Sequence, residues 1–222
     1  MLEASRALEK LIALADPGAD ARAVAGALLT RYGSLLAVLA APADDLTRVE
    51  GVRAPLAQLL RLMPPMARYD ALDGFGPRPD VSTFRRAEGY LSALYIGREY
   101  EHFYLLCLGQ DGRLLKPALV TRGTLDETAF YLRNILDESL KARAYAVVLS
   151  HNHPGGTPEP SQGDVSATKL AIRALSKVGV LVLDHAIIAD GRALSMRATG
   201  LIDESVFSGQ SPGDKLLGNW LL

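Results

Sequence analysis

The sequence contains a single cysteine, Cys107, in 222 residues. One thiol excludes an internal disulfide and also excludes a zinc site built from several thiolates. Cys107 lies within the apolar run 103–108, which predicts a buried and unreactive side chain.

The chain also lacks a long apolar run. No segment approaches the roughly eighteen consecutive apolar residues that a membrane-spanning helix requires. The first ten residues are too rich in charge for the apolar segment of a signal peptide. We therefore expect a cytoplasmic protein that makes no contact with membranes.

A strong charge of either sign is absent as well. The 24 Lys and Arg residues are balanced by 25 Asp and Glu residues, for a formal net charge of −1. Such a chain has no long-range field that would attract DNA, RNA or anionic lipid. Its 49% hydrophobic and 22% charged residues are typical of a soluble globular protein, and its length allows one full domain and a small one.

The most informative stretch, 150–154, has the sequence Ser-His-Asn-His-Pro and follows the apolar segment 144–149. The apolar segment is rich in β-branched residues and predicts a buried strand that ends where the polar residues begin. Side chains two positions apart on a strand point to the same side, so His151 and His153 can face one metal ion.

A carboxylate follows on the next predicted element. After a loop rich in proline and glycine, Ser161 begins a segment with helical periodicity, and the loop can fold Asp164 back onto the histidines. Two imidazoles and one carboxylate leave a fourth position on zinc for water, which favours hydrolysis. Taken singly, each residue also has an ordinary interpretation, because Ser-x-x-Asp is a common helix start.

The complete pattern resembles the JAMM metalloprotease motif of MPN domains: His-x-His, seven residues, then Ser-x-x-Asp. Asn152 and Pro154-Gly155 make residues 81–202 resemble the RadC-like bacterial branch. RadC-like chains commonly have Ser-Gly after His-Asn-His-Pro, whereas this chain has Gly155-Gly156, so its loop conformation is expected to differ. The resemblance implies a zinc ion bound by His151, His153 and Asp164.

The same resemblance implies two catalytic residues. A zinc hydrolase needs a carboxylate base, and RadC-like chains carry Glu-x-Phe near the first strand, which points to Glu101; Glu99 is the alternative. Ser161 is implied to stabilise the oxyanion, provided that helix capping does not occupy its hydroxyl.

Two other histidines require interpretation. Strand alternation places His102 on the sheet face opposite Glu101, so it is not predicted to bind metal. RadC-like chains also have Leu-Asp-His at 183–185; His185 or Asp184 could orient a metal ligand, but a buried histidine that bonds to the backbone is the simpler hypothesis.

The predicted fold is a mixed α/β sandwich, and the resemblance specifies an MPN (JAMM) domain, cytidine-deaminase-like, preceded by a small all-helical domain. We place the helical domain at 1–68, a linker rich in proline and glycine at 69–80, the MPN domain at 81–202 and a tail at 203–222. Within the MPN domain, a helix is expected over about 82–94 with Ser82 as its cap, followed by a strand at 101–108.

Residues 32–56 resemble a helix-hairpin-helix unit, in which a glycine turn presents backbone N–H groups to a DNA phosphate. Gly51 supplies that turn, but Arg53 stands where such hairpins usually have a second glycine. The eight basic and seven acidic residues of 1–68 give little positive charge for DNA. A helical docking module without DNA contact is the alternative.

The tail combines a predicted flexible linker, 208–214, with large apolar side chains at its end. We expect the tail to dock, either on its own domain or on a second copy in a homodimer. The apolar residues are Leu216, Leu217, Trp220, Leu221 and Leu222.

The predicted function is therefore a zinc-dependent hydrolase that cleaves an amide or isopeptide bond in a protein or peptide substrate. One alternative is a DNA-associated repair accessory protein that uses residues 1–68. The other is an interaction scaffold with a structural zinc ion.

Overall fold

The computed structural model describes residues 2–123, 128–202 and 215–220. The chain divides into two compact units, Met1–Ala71 and Leu72–Leu222. None of the helices in the described residues combines the length and the apolar character needed to cross a membrane.

The first unit is helical. Asp20 and Ser34 cap the second and third helices by accepting a hydrogen bond from a backbone N–H three residues later. The core consists of aliphatic side chains that recur at helical spacing, including Leu8, Ile12 and Leu28. The helices are α1 (Leu2–Ala15), α2 (Ala21–Tyr32), α3 (Leu35–Ala40), α4 (Ala43–Leu46) and α5 (Ala54–Asp73).

Helix α5 differs from the sequence-based expectation. Pro64 and Pro65 lie inside α5, and this helix continues to Asp73, through the first residues of the predicted linker 69–80. Proline removes a helical hydrogen bond, yet its fixed φ is itself close to the helical value. Buried Leu60 before the prolines and buried Arg68 after them lie on the same continuous helix.

The second unit is a five-stranded sheet with helices on both faces. The strand order is β2-β1-β3-β4-β5; all neighbours are antiparallel except β3 and β4, which are parallel. This mixed α/β arrangement confirms the predicted fold class. Its elements are α6 (Phe84–Leu94), β1 (His102–Leu108), β2 (Leu114–Arg122), α7 (Thr128–Lys141), β3 (Ala146–Asn152), α8 (Gln162–Lys177), β4 (Leu181–Ala189), β5 (Arg192–Ser195) and α9 (Lys215–Asn219).

Each face of the sheet has its own apolar core. Helices α7 and α8 cover one face, where Ile135 and Ile172 pack against Leu149. Helices α6 and α9 cover the other, where Leu91 and Leu216 belong to the same core as Val148. Neighbouring residues of β3 therefore point into different cores, as strand alternation requires.

Two expected boundaries are shifted. Thr83, rather than Ser82, caps α6, because the Thr83 hydroxyl accepts the Arg86 N–H while the Ser82 N–H bonds to Asp80. Strand β1 begins at His102, one residue after Glu101. Cys107 is buried as predicted, and burial raises the pKa of its thiol to about 12.

The end of the tail docks on its own unit. Leu216 and Trp220 are buried in the core between α6 and the sheet, and the Trp220 ring makes an edge contact with Phe84. Gly112 lies against this segment, since a side chain there would approach Ser82 Cβ to 2.5 Å and Leu216 to 2.9 Å. The predicted linker 208–214 and residues 221–222 lie outside the described residues.

Candidate metal centre

The two predicted histidine ligands lie where β3 ends. His151 is fully buried, and its ring stacks on Phe103, the residue paired with it on β1. His153 follows the strand, and its backbone N–H donates to the Ile188 carbonyl of β4. Both imidazoles lie on the sheet face covered by α7 and α8.

Helix α8 brings Asp164 to the same place. Nitrogens of His151 and His153 and a carboxylate oxygen of Asp164 lie within 4.8 Å of one another. The His151 Nε2 atom is 2.8 Å from His153 Nε2 and 3.2 Å from Asp164 Oδ1. The structure therefore brings together all three predicted ligands.

The tautomer of His151 follows from its neighbours. Thr168 Oγ1 lies 2.6 Å from the Asp164 carbonyl; a carbonyl can only accept, so the hydroxyl donates to it. Thr168 must then accept from Nδ1–H of His185, 2.6 Å away. His185 Nε2 is left as an acceptor for Nδ1–H of His151 at 2.8 Å. The lone pair of His151 Nε2 is thereby directed at Asp164 and His153.

His153 is oriented in the same way by a different partner. Its Nδ1 lies 2.8 Å from the Thr157 carbonyl, which can only accept, so Nδ1 carries the proton. Since the hydrogen bonds of both rings place a proton on Nδ1, the two Nε2 atoms are the ones that approach each other, at 2.8 Å. Burial lowers the pKa of His151 to about 4, although the Asp164 carboxylate raises it. Neutral imidazole is the form that binds metal, so these residues fit a cation between them.

Asp164 is held by a capping box at the start of α8. Its Oδ2 accepts hydrogen bonds from the backbone N–H and the hydroxyl of Ser161, at 2.7 and 2.6 Å. The Ser161 hydroxyl in turn accepts from the Asp164 N–H at 3.1 Å. Oδ1 remains directed at His151. The hydroxyl proton of Ser161 is thus committed to the carboxylate.

The register of the sheet places Glu101 beside the histidines. Phe103 pairs with His151 in the antiparallel ladder, and continuing that register by two residues sets Glu101 opposite His153 on the same face. Glu101, His153 and Asp164 line one cleft of about 470 Å³. Glu99 is not among the described residues that line this cleft.

Glu101 has an altered acidity. Burial raises the pKa of its carboxyl, and the negative charge of Asp164 raises it further, while His153 acts in the opposite direction. A carboxyl of this kind retains a proton more readily than an exposed one. It is therefore suited to accept a proton and release it again in one reaction.

Comparisons with known proteins identify the family of the chain. Residues 81–201 match the RadC-like JAB domain. The chain belongs to the RadC-like JAB domain family. It is 35% identical over 195 residues to a UPF0758 protein of Rhodobacter capsulatus, covering 88% of this chain and 91% of that protein. It is 37% identical over 175 residues to a UPF0758 protein of Acidovorax sp. (strain JS42), covering 77% and 72%. The resemblance inferred from the motif is therefore confirmed.

The other two histidines of the RadC-like domain, His102 and His185, lie in different environments. His102 lies on the opposite sheet face, as predicted, where its Nδ1 bonds to the Tyr100 carbonyl and its ring stacks on Tyr104. His185 does not have the backbone partners that the simpler hypothesis assigned to its ring, because its two nitrogens bond to His151 and Thr168. It orients a predicted metal ligand.

The roles of three residues of the RadC-like site were not predicted from the sequence. Thr168 fixes the tautomer of His185, and Asn152 bonds to the backbone beside Glu101. Tyr131 lines the cleft, and its buried hydroxyl has no hydrogen-bond partner among the described residues. Helical spacing could have found Thr168, since it lies one turn after Asp164. Nothing in the sequence marks Tyr131.

In the helical unit, the segment predicted to form a hairpin contains a glycine turn. Gly51 forms its turn with a φ of +82°, and a side chain there would approach Val24 to 2.5 Å. The Arg53 guanidinium forms an ion pair with the buried Asp16 carboxylate. Glu50 lines the same cleft as Arg53 and adds a second negative charge there. The positive charge of Arg53 is therefore largely offset locally.

Proposed function

We propose that this RadC-like protein is a zinc-dependent hydrolase of the JAMM type that cleaves an amide or isopeptide bond. The observation that carries the proposal is the convergence of His151 Nε2, His153 Nε2 and Asp164 Oδ1 at the wall of the cleft that Glu101 lines. Two imidazoles and one carboxylate are a ligand set of catalytic zinc sites, which keep one position open.

The metal ligands and Glu101 have different roles in the proposed reaction. A zinc ion held by His151, His153 and Asp164 would supply an acidified water molecule and polarise the carbonyl of the scissile bond. Glu101 accepts the proton of the attacking water and delivers it to the leaving amine. The sheet register favours this assignment to Glu101, because it sets this residue opposite His153.

Ser161 is the proposed oxyanion donor, with a condition. Its hydroxyl now donates to Asp164 Oδ2, so donation to an oxyanion requires that bond to be exchanged when substrate binds. Asp164 would keep the bond from the Ser161 backbone N–H. A hydroxyl that changes partner in this way contributes only when negative charge develops on the substrate.

The lining of the cleft suits a polypeptide substrate. Beside Glu101 and Asp164 it includes the apolar side chains of Ala167 and Leu170, of which Leu170 is 40% exposed. The described lining contains no Lys or Arg that would bind a phosphate or a free carboxylate. We therefore propose an internal amide bond, or a bond to a lysine side chain, as the target.

The test uses the full-length protein loaded with zinc. It is incubated with a mixture of synthetic peptides that together contain every pair of neighbouring residue types, and with a peptide branched through a lysine side chain. We expect cleavage that stops on chelation and returns when zinc is restored. Bound zinc without turnover of any peptide in the mixture would instead indicate a scaffold.

DNA contact is the second candidate, and the glycine turn at Gly51 is the observation that favours it. The ion pair between Arg53 and Asp16 opposes it. Binding to duplex DNA that weakens steeply with salt and persists after zinc is removed would support this function. Absence of binding at low salt would reject it.

A further inference from the structure

Asn152 stands between two metal ligands but faces away from them. It is 5% exposed, and it lies two residues after Ser150 and four after Val148, on the sheet face that α6 and α9 cover. Its side chain therefore does not reach the space between the histidines. Its contacts are made with the start of β1 instead.

Both polar atoms of the Asn152 side-chain amide form hydrogen bonds with the backbone on either side of Glu101. Oδ1 accepts the His102 N–H at 2.8 Å, and Nδ2 donates to the Tyr100 carbonyl at 3.2 Å. The Glu101 carbonyl accepts a hydrogen bond from the Gly123 N–H at 2.8 Å. The backbone of Glu101 and of both its neighbours is thus anchored.

The position of these bonds explains why a side chain is needed. The ladder between β1 and β3 ends at the pair of Phe103 and His151, and β1 begins only at His102. Just beyond this pair, the His153 N–H is directed to Ile188 on β4. The amide of Asn152 therefore takes the place of the next main-chain bonds and extends the register to Glu101.

We propose that Asn152 is a positioning residue, which holds Glu101 opposite His153 by bonding to the peptide groups on either side of it. The inference rests on the proposed function, since it assigns Asn152 to the orientation of the base. The His102 N–H needs an acceptor and the Tyr100 carbonyl needs a donor, and one short side chain must provide both. Asparagine provides both, ionised aspartate provides only acceptors, and leucine provides neither.

The experiment compares Asn152→Leu with the wild type and with a matched control, Ser150→Ala. Ser150 is a buried polar residue on the same strand and the same face, but it is not bonded to the backbone beside Glu101. The measurements are zinc content, kcat and KM on the peptide that the wild type cleaves fastest in the mixture above, and hydrogen exchange of the His102 amide.

For Asn152→Leu we expect normal zinc content, a kcat lowered about 100-fold and a KM changed less than about threefold, because a base displaced by about 1 Å loses much of its effect. Exchange of the His102 amide should become about tenfold faster, since the bond to Oδ1 is lost. Ser150→Ala should retain the wild-type kcat and the wild-type exchange rate.

Several results would overturn the inference: a wild-type kcat in Asn152→Leu, loss of its zinc, or an equal loss of kcat in Ser150→Ala. If Asn152→Leu does not unfold cooperatively, Asn152→Asp replaces it. That variant keeps the acceptor for His102, so kcat should fall while His102 exchange stays slow; a kcat equal to that of the wild type overturns the inference.

Failure of the proposed function gives a different pattern. A wild-type zinc protein that cleaves no peptide refutes the hydrolase. The exchange measurement then decides the inference alone: unchanged His102 exchange in Asn152→Leu rejects the anchoring, and faster exchange supports it.

Discussion

At the end of β3, His151 and the following His153 lie on the sheet face that α7 and α8 cover, whereas Ser150 and Asn152 lie on the face that α6 and α9 cover. The first face presents nitrogen lone pairs beside an Asp164 oxygen. The second face presents an amide that bonds to the chain beside Glu101.

The difference shows how one short motif can serve two purposes. The function of the face that carries His151 and His153, the ligand face, can be predicted from residue types alone, because two histidines two positions apart and a carboxylate suit a metal ion. The role of Asn152 depends on where β1 begins, which is a property of the neighbouring strand. Substitutions on the two faces should therefore have separable effects on zinc binding and on catalysis.

Glu101→Gln should have the largest effect on activity. We expect kcat to fall by about 100- to 10,000-fold, because the variant cannot accept a proton from water, while zinc content remains that of the wild type. Steady-state kinetics and elemental analysis measure the two quantities. Glu99→Gln is the control and should remain active; an inactive Glu99→Gln beside an active Glu101→Gln would reverse the assignment.

His185→Ala should weaken zinc binding by about 10- to 100-fold, the usual effect of removing a group that orients a ligand. The reason is that His151 loses the acceptor of its Nδ1–H at 2.8 Å. Competition with a chromophoric chelator measures the affinity. His102→Ala, which removes a buried histidine from the opposite face, should bind zinc as the wild type does. Equal weakening in both variants would contradict this account.

Activity should decline on the acid side as Glu101 takes up a proton. Burial, and then the charge of Asp164, raise the pKa of Glu101 above its ordinary value of 4.5. The ionised base is present above the raised pKa and is lost as the pH falls through it. In the metal-free protein, whose site carries no added positive charge, we expect the Glu101 carboxyl to titrate with a midpoint above pH 4.5, which NMR of its side-chain carbon measures with Glu101→Gln as the reference. A midpoint at or below 4.5 in the metal-free protein would contradict the effect of burial and of Asp164 on this carboxyl.

Tyr131→Phe should have the smallest effect and should be stabilising. The Tyr131 hydroxyl is buried without a partner among the described residues, and the ring makes an edge contact with Phe103 at 4.6 Å between centroids. Removing an unpaired buried hydroxyl should raise Tm by about 2–4 °C. Tyr131→Leu, which also removes the ring contact, should lower Tm. A lower Tm in Tyr131→Phe would show that the hydroxyl has a stabilising partner.

Much of the ligand face could be predicted from the sequence. The strand before His151, the loop, and the helix that begins after Ser161 follow from apolar periodicity and from proline and glycine. The alternation of side chains correctly separated His102 from Glu101.

What could not be predicted depends on contacts between distant segments. The sequence left two hypotheses open for His185, and its bond to His151, 34 positions away along the chain, decides between them. The bond from Asn152 to Tyr100 spans 52 positions. The first residues of the predicted linker 69–80 belong to α5, which ends at Asp73 and also contains Pro64 and Pro65. The local sequence pattern predicts the types of the secondary-structure elements and the three metal ligands. Strand register and tertiary packing determine which polar groups form hydrogen bonds with the ligands and beside Glu101.

The metal content of the purified full-length protein tests the central claim most directly. Protein that has never met a chelator should contain about one zinc ion per chain by elemental analysis. The double variant His151→Ala/His153→Ala, folded by the criterion of cooperative thermal unfolding, should contain none. Wild-type protein without zinc, or full zinc occupancy in the double variant, would contradict the account.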